Sequence, residues 1–506
     1  MILFYIIVKI WNLYYNHMPS KYILSIDAGT TNCKAVIFNS DGKIMGKSAV
    51  RMETFYPREG WVEQNPYFII SSVKKVISEA IKNAGISVKD IESAGITNQR
   101  ETTIVWDKNS GIPAYNAIAW QDRRTENIMK GMAVYRTLIG EKTGLRPDPY
   151  FSAGKIKWII DNVEGIREKA ENGDMAFGTV DSWILYNLDS SRPYATDYTN
   201  ASRTMLFNIR KLEWDRELMD LFRIPESMLP EVYPSLHTFG TISLVHGKKI
   251  PVYSIIGDQQ SALFGHAAIS KGMAKNTYGT GSFMLANSGS DIPEAGALIG
   301  TVAYGLENKK VSYAIEGSIF SAGSAIDWTK KLLNVKSYSK FEEMALKARN
   351  SSSYLVPAFT GLGSPYWDPS ARGIIIGLSH STGRNEMARM AYESVAYQTE
   401  DVLLEIEKIA PVKELKVDGG LTNSQFLMQF QADLSGHKII KTDTIEITAT
   451  GTAYIAGIAS GFWKLGELQA MSSVEREYYP DTGSEKARKG YMAWKRAVTH
   501  SFGWEI

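Results

Sequence analysis

The sequence predicts an α/β protein of two domains of related plan, with a cleft between them. Length is the first reason: 506 residues are too many for one compact core, so two large domains are the natural partition. The second is a repeated order of elements. Strand, hairpin, helix and strand follow one another after Ile23, and a block of the same kind opens near Gly272. The third is that strands in both halves run into turns of glycine and hydroxyl residues, the kind of turn that lines a cleft.

The first residues, "MILFYIIVKIWNLYYNH", are apolar and aromatic. The unbroken apolar stretch, Met1 to Val8, is too short to span a bilayer. It has neither the basic start nor the small-residue cleavage site of a signal peptide. Met18 is the expected start of the folded chain and 1–17 a non-native or disordered extension, with a membrane anchor or a genuine cap as the alternative.

An apolar run then ends in Asp27. Gly29, Thr30, Thr31 and Asn32 follow, then a second apolar run, Ala35 to Phe38, and a turn at Asp41-Gly42. The next helix is punctuated at both ends: Asn65 as cap, Pro66 at the first helical position, Gly85 after the last. Ile69, Val73, Val76, Ile77 and Ala80 recur at helical spacing. "ESAGITNQRETTIVWD" reads as strand, polar loop, strand. In the second block "MAKNTYGTGSFMLANSG" reads as strand, Gly-Thr-Gly turn, strand, with helical patterns at Ser318 to Leu333 and Asn385 to Ile409. "ELKVDGGLTNSQFLMQFQADL" is a strand, a Gly-Gly turn and a helix. The boundary is expected between Gly265 and Gly272, giving domains 18–266 and 267–506.

Composition excludes several classes. Hydrophobic residues at 44% and charged residues at 22% are those of an ordinary globular protein. A net charge of +2 leaves no footprint for nucleic acid, and no nucleic-acid or membrane partner is expected. The single cysteine, Cys33, excludes a disulfide framework within the chain and fits a reducing, cytoplasmic location. One cysteine and scattered histidines do not make a structural zinc site.

The turns are where chemistry fits. A carboxylate at a strand end, next to backbone N–H groups freed by a glycine turn, suits a phosphate: the amides and the hydroxyls of Thr30 and Thr31 hold anionic oxygens. Asp27 suits Mg²⁺, held largely through water. Thr277 to Ser282 offers a second such turn, and Asp418-Gly419-Gly420 a third at a helix start. No Walker lysine motif and no Rossmann glycine fingerprint accompanies them. In "IPVYSIIGDQQSALFG" an apolar run turns at Gly257 into Asp258, a place where an acid by itself fits a helix cap.

Three phosphate-suited turns over two related halves match one architecture: the chain resembles the actin-like, ribonuclease-H-like ATPase superfamily and, within it, the FGGY carbohydrate kinases. "YFSAGKIKWIIDN", Tyr150 to Asn162, is similar to that family's first signature. "GIIIGL", Gly373 to Leu378, with the helix up to Glu393, is similar to the second, with Met390 where a small residue is usual. "GITNQRETTIVW", "NAIAWQDRR", "DPYFS", "TDYTNASRTMLFN", "GDQQSALFG", "NTYGTG" and "PAFTGLGSPYWDP" narrow the resemblance to the glycerol-phosphorylating branch, over nearly everything from Lys21 onward.

The resemblance implies two ribonuclease-H-like domains with the active site in the cleft between them. The first would bind glycerol and phosphate, the second the nucleotide. The implied reaction is transfer of the γ-phosphoryl group of Mg-ATP to glycerol, giving sn-glycerol 3-phosphate and ADP. The implied glycerol contacts are Arg100, Glu101, Trp120, Tyr150, Asp258, Gln259 and Phe283, with Asp258 as base. Such residues make physical sense: glycerol needs paired donors and acceptors plus a wall for its carbon chain. Thr30, Thr31, Asn32 and Thr280 are implied phosphate contacts, with Lys34 beside them. Gly323, Asp327, Gly420 and Ser424 are implied on the nucleotide, and Asp27 with Asp258 on Mg²⁺. A homodimer or homotetramer is expected by analogy.

Three positions depart from the family pattern: Lys34 for an arginine, Asp327 for a glutamine, and Ser424 for an asparagine, with Asn423 adjacent. Lys34 keeps the charge and loses the bidentate fork. These departures bear on nucleotide affinity and strict ATP preference. The loop His246 to Lys249 lacks the glycine-rich, arginine-containing sequence of fructose 1,6-bisphosphate sites, so that feedback is expected to be absent or altered. Another FGGY sugar kinase is the alternative, and the Gln99-Arg100-Glu101 run argues against a pentulose substrate. A non-catalytic relative is disfavoured by the intact Asp27 and Asp258.

Overall fold

A computed structural model describes residues 21–243, 248–349, 352–444, 446–481 and 484–504; the 1–17 extension and His246 lie outside them. Strands β1 (Tyr22–Ala28), β2 (Asn32–Phe38) and β3 (Ile44–Arg51) form an antiparallel meander. Helix α1 (Pro66–Ala84) returns the chain so that β4 (Ile91–Asn98) runs parallel to β1. After α2 (Ser152–Asn162), strands β5 (Leu236–Ser243) and β6 (Lys249–Gly257) complete a six-stranded sheet of order β5-β6-β4-β1-β2-β3.

The punctuation of α1 is as its sequence dictates. The Asn65 side chain accepts from the N–H groups of Tyr67 and Phe68, Pro66 opens the helix, and Gly85 closes it at φ 66°. Its apolar face, Ile69, Val73, Val76, Ile77 and Ala80, is buried. A Cβ on Gly46 of β3 would stand 2.4 Å from the Ala84 nitrogen, so only glycine lets the helix end lie this close to the sheet.

The second half repeats the plan. Helix α3 (Asp258–Gly265) leads to β7 (Met273–Tyr278) and β8 (Ser282–Gly289), then β9 (Ile299–Glu307) and β10 (Lys310–Ile319), which pair antiparallel as β7 with β8, β8 with β10 and β10 with β9. Helices α4 (Gly323–Leu332), α5 (Tyr338–Lys347) and α6 (Arg384–Glu407) precede β11 (Glu414–Asp418), which pairs parallel with β7 as β4 does with β1. Helix α7 (Gln425–Ser435), β12 (Ile439–Thr442), α8 (Ile447–Ala459), β13 (Val474–Tyr478) and α9 (Ser484–Thr499) follow. The seven-stranded order is β9-β10-β8-β7-β11-β12-β13.

The pattern read as helical from Ser318 is strand up to Ile319, and α4 begins only at Gly323. Ser318 pairs with Phe283 in the β8–β10 ladder, so its backbone is committed to the sheet. A short apolar run carries no period that separates the two states.

Helix α8 packs on the first sheet and on α3. Thr452 Oγ1 donates to Ser254 Oγ at 2.9 Å, and a Cβ on Gly451 would sit 1.8 Å from the Ser261 carbonyl oxygen. One apolar cluster, including Ile23, Val36, Ile256, Leu285, Ala303 and Ala453, therefore joins the halves. No helix among the described residues is long and apolar enough to cross a membrane.

Candidate active site

The twinned sheets present twinned strand ends. Asp27 of β1 lies between Lys34 of β2 and Thr97 of β4; Thr277 of β7 lies between Phe283 of β8 and Asp418 of β11. Each strand runs into a glycine turn, closed by Gly29 N–H to the Asn32 carbonyl at 3.1 Å and by Gly279 N–H to the Gly281 carbonyl at 2.9 Å. A Cβ on Gly323 would lie 2.5 Å from the Gly279 carbonyl oxygen, so the start of α4 can touch this turn only as glycine.

Between the turns lies a cavity of about 190 Å³. All seven expected glycerol contacts line it, as do Thr30, Thr31 and Thr280. Trp120 meets Tyr150 and Phe283 edge-on, each pair of rings 5.7 Å apart, which forms an aromatic wall. The indole N–H of Trp120 donates to Thr30 Oγ1 at 2.9 Å and fixes the ring against the first turn. The wall and the polar groups converge on a space that holds a molecule of few heavy atoms.

Arg100 and Glu101 are buried and paired rather than parts of a solvated turn. Arg100 holds Glu316 of β10 with both terminal nitrogens, at 2.6 and 3.0 Å, and brings Nε to 3.3 Å from Asp258 Oδ1. Arg203 donates through Nε to Glu101 and through Nη2 to Glu316 at 2.9 Å. Burial alone would raise the Glu316 carboxyl, but the two guanidiniums hold it down at about 2. Neither Arg203 nor Glu316 was assigned from sequence. The signal was present: Arg203 lies inside "TDYTNASRTMLFN", and Glu316 is a charge within the otherwise apolar end of β10.

Asp258 is the first helical residue of α3, with Gly257 as its cap, and its Oδ1 accepts from Gln259 N–H at 2.7 Å. Burial raises its carboxyl against the pull of Arg100. Asp27, close enough to Asp258 to feel its charge, is pushed up by burial to about 7, against the pull of Lys34. Its carboxylate accepts no hydrogen bond among the described residues. Two acids near enough to feel one another's charge, one of them without a hydrogen-bond donor, suit a divalent cation.

Asn32 and Lys34 do not line the cavities. Asn32 opens β2 and lines neither this cavity nor the larger one beside it. Lys34 Nζ is held by Glu446 at 2.7 Å, across the ladder from Asp27, so its charge acts on that acid rather than reaching into a cavity.

A second cavity, of about 600 Å³, shares Gly279 and Thr280 with the first. Gly323, Asp327, Gly420 and Ser424 all line it, with Asn423 and Tyr392. Gly420 has open space where a Cβ would stand, and the flanking Gly419, at φ 93°, lies against the Tyr278 backbone. Ser424 Oγ is engaged by Glu342 at 2.9 Å and caps α7, so it is a structural hydroxyl as well as a lining one.

A small polar cavity meeting a nucleotide-sized one at a single glycine turn, in twinned α/β halves, is the layout of an ATP-dependent kinase of small molecules. Comparison with known proteins makes this specific. Residues 22–265 match the N-terminal domain and residues 274–460 the C-terminal domain of the FGGY family of carbohydrate kinases, and the chain belongs to that family. It is 49% identical to glycerol kinase 2 of Thermotoga maritima, over 96% of this chain and 99% of that one. It is 49% identical to the glycerol kinase of Thermococcus kodakarensis, over 96% and 98%. Its fold is similar to that of Plasmodium falciparum glycerol kinase with ADP, with a TM-score of 0.87 and 33% identity over 95% of this chain and 98% of that one.

Proposed function

We propose that the protein is a glycerol kinase: it transfers the γ-phosphoryl group of ATP to a terminal hydroxyl of glycerol, releasing sn-glycerol 3-phosphate and ADP. The observation that carries this reading is the 190 Å³ cavity, with its aromatic wall and its Arg100, Glu101 and Asp258 side chains, opening onto the 600 Å³ cavity. Glycerol rests its carbons on Trp120 and Phe283 and exchanges hydrogen bonds with Arg100, Glu101 and Tyr150. Asp258 accepts the proton of the attacking hydroxyl as the new oxygen–phosphorus bond forms and the bond to the ADP oxygen breaks. An aspartate is a weak base for an alcohol, which suffices because positioning and charge neutralisation dominate this chemistry. The hydroxyls of Thr30, Thr31 and Thr280 hold the phosphates from both domains. Asp27 and Asp258 would hold Mg²⁺, which neutralises phosphate charge when bound.

Two predictions belong here. ADP release is expected to be strong with glycerol and weak with erythritol, xylulose and gluconate, measured in one coupled assay. Turnover with only a larger sugar would overturn the roles given to Arg100, Glu101 and Trp120. Asp27→Asn removes a buried carboxyl that accepts no hydrogen bond among the described residues and whose ionised form burial disfavours. The variant should melt higher in magnesium-free buffer and, assayed with Mg²⁺ and ATP, lose at least about 100-fold in kcat. A variant that melts lower and keeps its turnover would remove Asp27 from the site.

A further inference from the structure

Lys275 of β7 is fully buried, sits beside the substrate cavity and has no part in the reaction as described. Its ammonium has three donors and no acceptor. All three are used: on Gln259 Oε1, on Thr277 Oγ1 at 2.8 Å and on the Phe283 carbonyl at 3.2 Å. The first of these crosses from the second half of the chain to the first, onto a residue that lines the cavity.

We propose that Lys275 is a positioning residue for the acceptor substrate: it holds the Gln259 side-chain amide with its oxygen on the ammonium and its two N–H donors facing the cavity. This rests on the glycerol kinase reading and deepens it. An ammonium cannot accept a hydrogen bond, so the amide has one orientation against it. Gln259 Nε2 has no partner among the described residues, which leaves both its hydrogens for ligand oxygens. The neighbouring acids Asp258 and Glu101 offer acceptors only. A hydroxyl placed between them donates its proton to a carboxylate and accepts from Gln259. Without Lys275 the amide is free to flip, and its oxygen would then face the same acceptors and repel the hydroxyl. Thr277 extends the link: it accepts from Lys275 and donates to Asp418 at 3.0 Å, at the mouth of the turn that carries Gly420. The amide's orientation is thereby tied to the nucleotide-side backbone.

The test is a double-mutant cycle on the full chain with Lys275→Met, Gln259→Leu and the pair, reading KM for glycerol, KM for ATP and kcat. Lys275→Met should raise KM for glycerol by about tenfold or more and leave KM for ATP within about twofold. In the Gln259→Leu background it should add less than about twofold. Losses that multiply, or an equal rise in both KM values, would overturn the role. Gln259→Glu guards against misfolding of the lysine variant. Its carboxylate pairs with the ammonium and supplies no donor, so the melting temperature should hold while KM for glycerol rises. An unchanged glycerol KM in that variant would overturn the donor role on its own. If the parent protein fails to turn over glycerol in the same assay, the underlying reading falls and the inference with it. Normal parent turnover with uncoupled losses removes only the role of Lys275.

Discussion

Asp258→Asn should lower kcat by roughly 10²- to 10⁴-fold, the range of a general base, and leave glycerol affinity within about threefold. The substitution keeps the shape of the side chain, so the aromatic wall and the Arg100–Glu316 pair stay in place. What it removes is the carboxylate that stands 3.3 Å from Arg100 Nε and lines the substrate cavity. Asparagine cannot take the hydroxyl proton, and it weakens the acid pair with Asp27. Glycerol binding by calorimetry and ADP release by a coupled assay separate the two effects. Turnover near the parent level would end the base assignment.

The local elements were legible because their signals are local. The Asn65 cap, Pro66 and Gly85 delimit α1 through chain chemistry that needs no tertiary partner. Arg100, Glu101 and Asp258 were readable only through the motifs that carry the family resemblance, because by themselves a solvated turn and a helix cap fit those residue types as well. Ser318 was misread because a short apolar segment before a helix has no period of its own, and the β8 partner that claims it lies far back in the sequence. Arg203, Glu316 and Lys275 were missed for a related reason. Each is a charge in an apolar strand or a buried turn, and its purpose is a partner from another part of the chain. The pairing of the Lys34 ammonium with Glu446, which follows β12, was equally out of reach of the sequence. Sequence shows that such charges are unusual; only the fold shows what they hold.

Glu316→Gln should be the most destabilising single change near the site. Glu316 is fully buried and lies between Arg100 and Arg203, with Ser318 Oγ donating to it at 3.2 Å. Removing its charge leaves two guanidiniums facing one another out of water, a loss of about 3–5 kcal/mol. That loss is read as a lower denaturant midpoint at unchanged m value. The pH dependence identifies the cause. The folded carboxyl is held at about 2, below the ordinary 4.5, so its stabilisation is complete above about pH 4.5 and fades as pH falls towards 2. The gap between parent and variant should therefore be constant from about pH 5 to 8 and shrink on further acidification; a gap that widens there would place the decisive charge elsewhere. Arg203→Met separates repulsion from packing. Alone it removes the hydrogen-bonded partner of Glu101, leaving Arg100 Nε at 3.9 Å, and is destabilising; combined with Glu316→Gln it removes one of the two opposed cations, so the double variant should lose less than the sum of the singles. Because Arg100 faces the glycerol cavity from the same network, the repulsion left by Glu316→Gln should also push its fork out of position and raise KM for glycerol. With Arg100 in the role proposed for it, one buried set of charges would set both stability and substrate recognition, and a change that repairs the first should restore the second only if it returns the Arg100 fork to its present place.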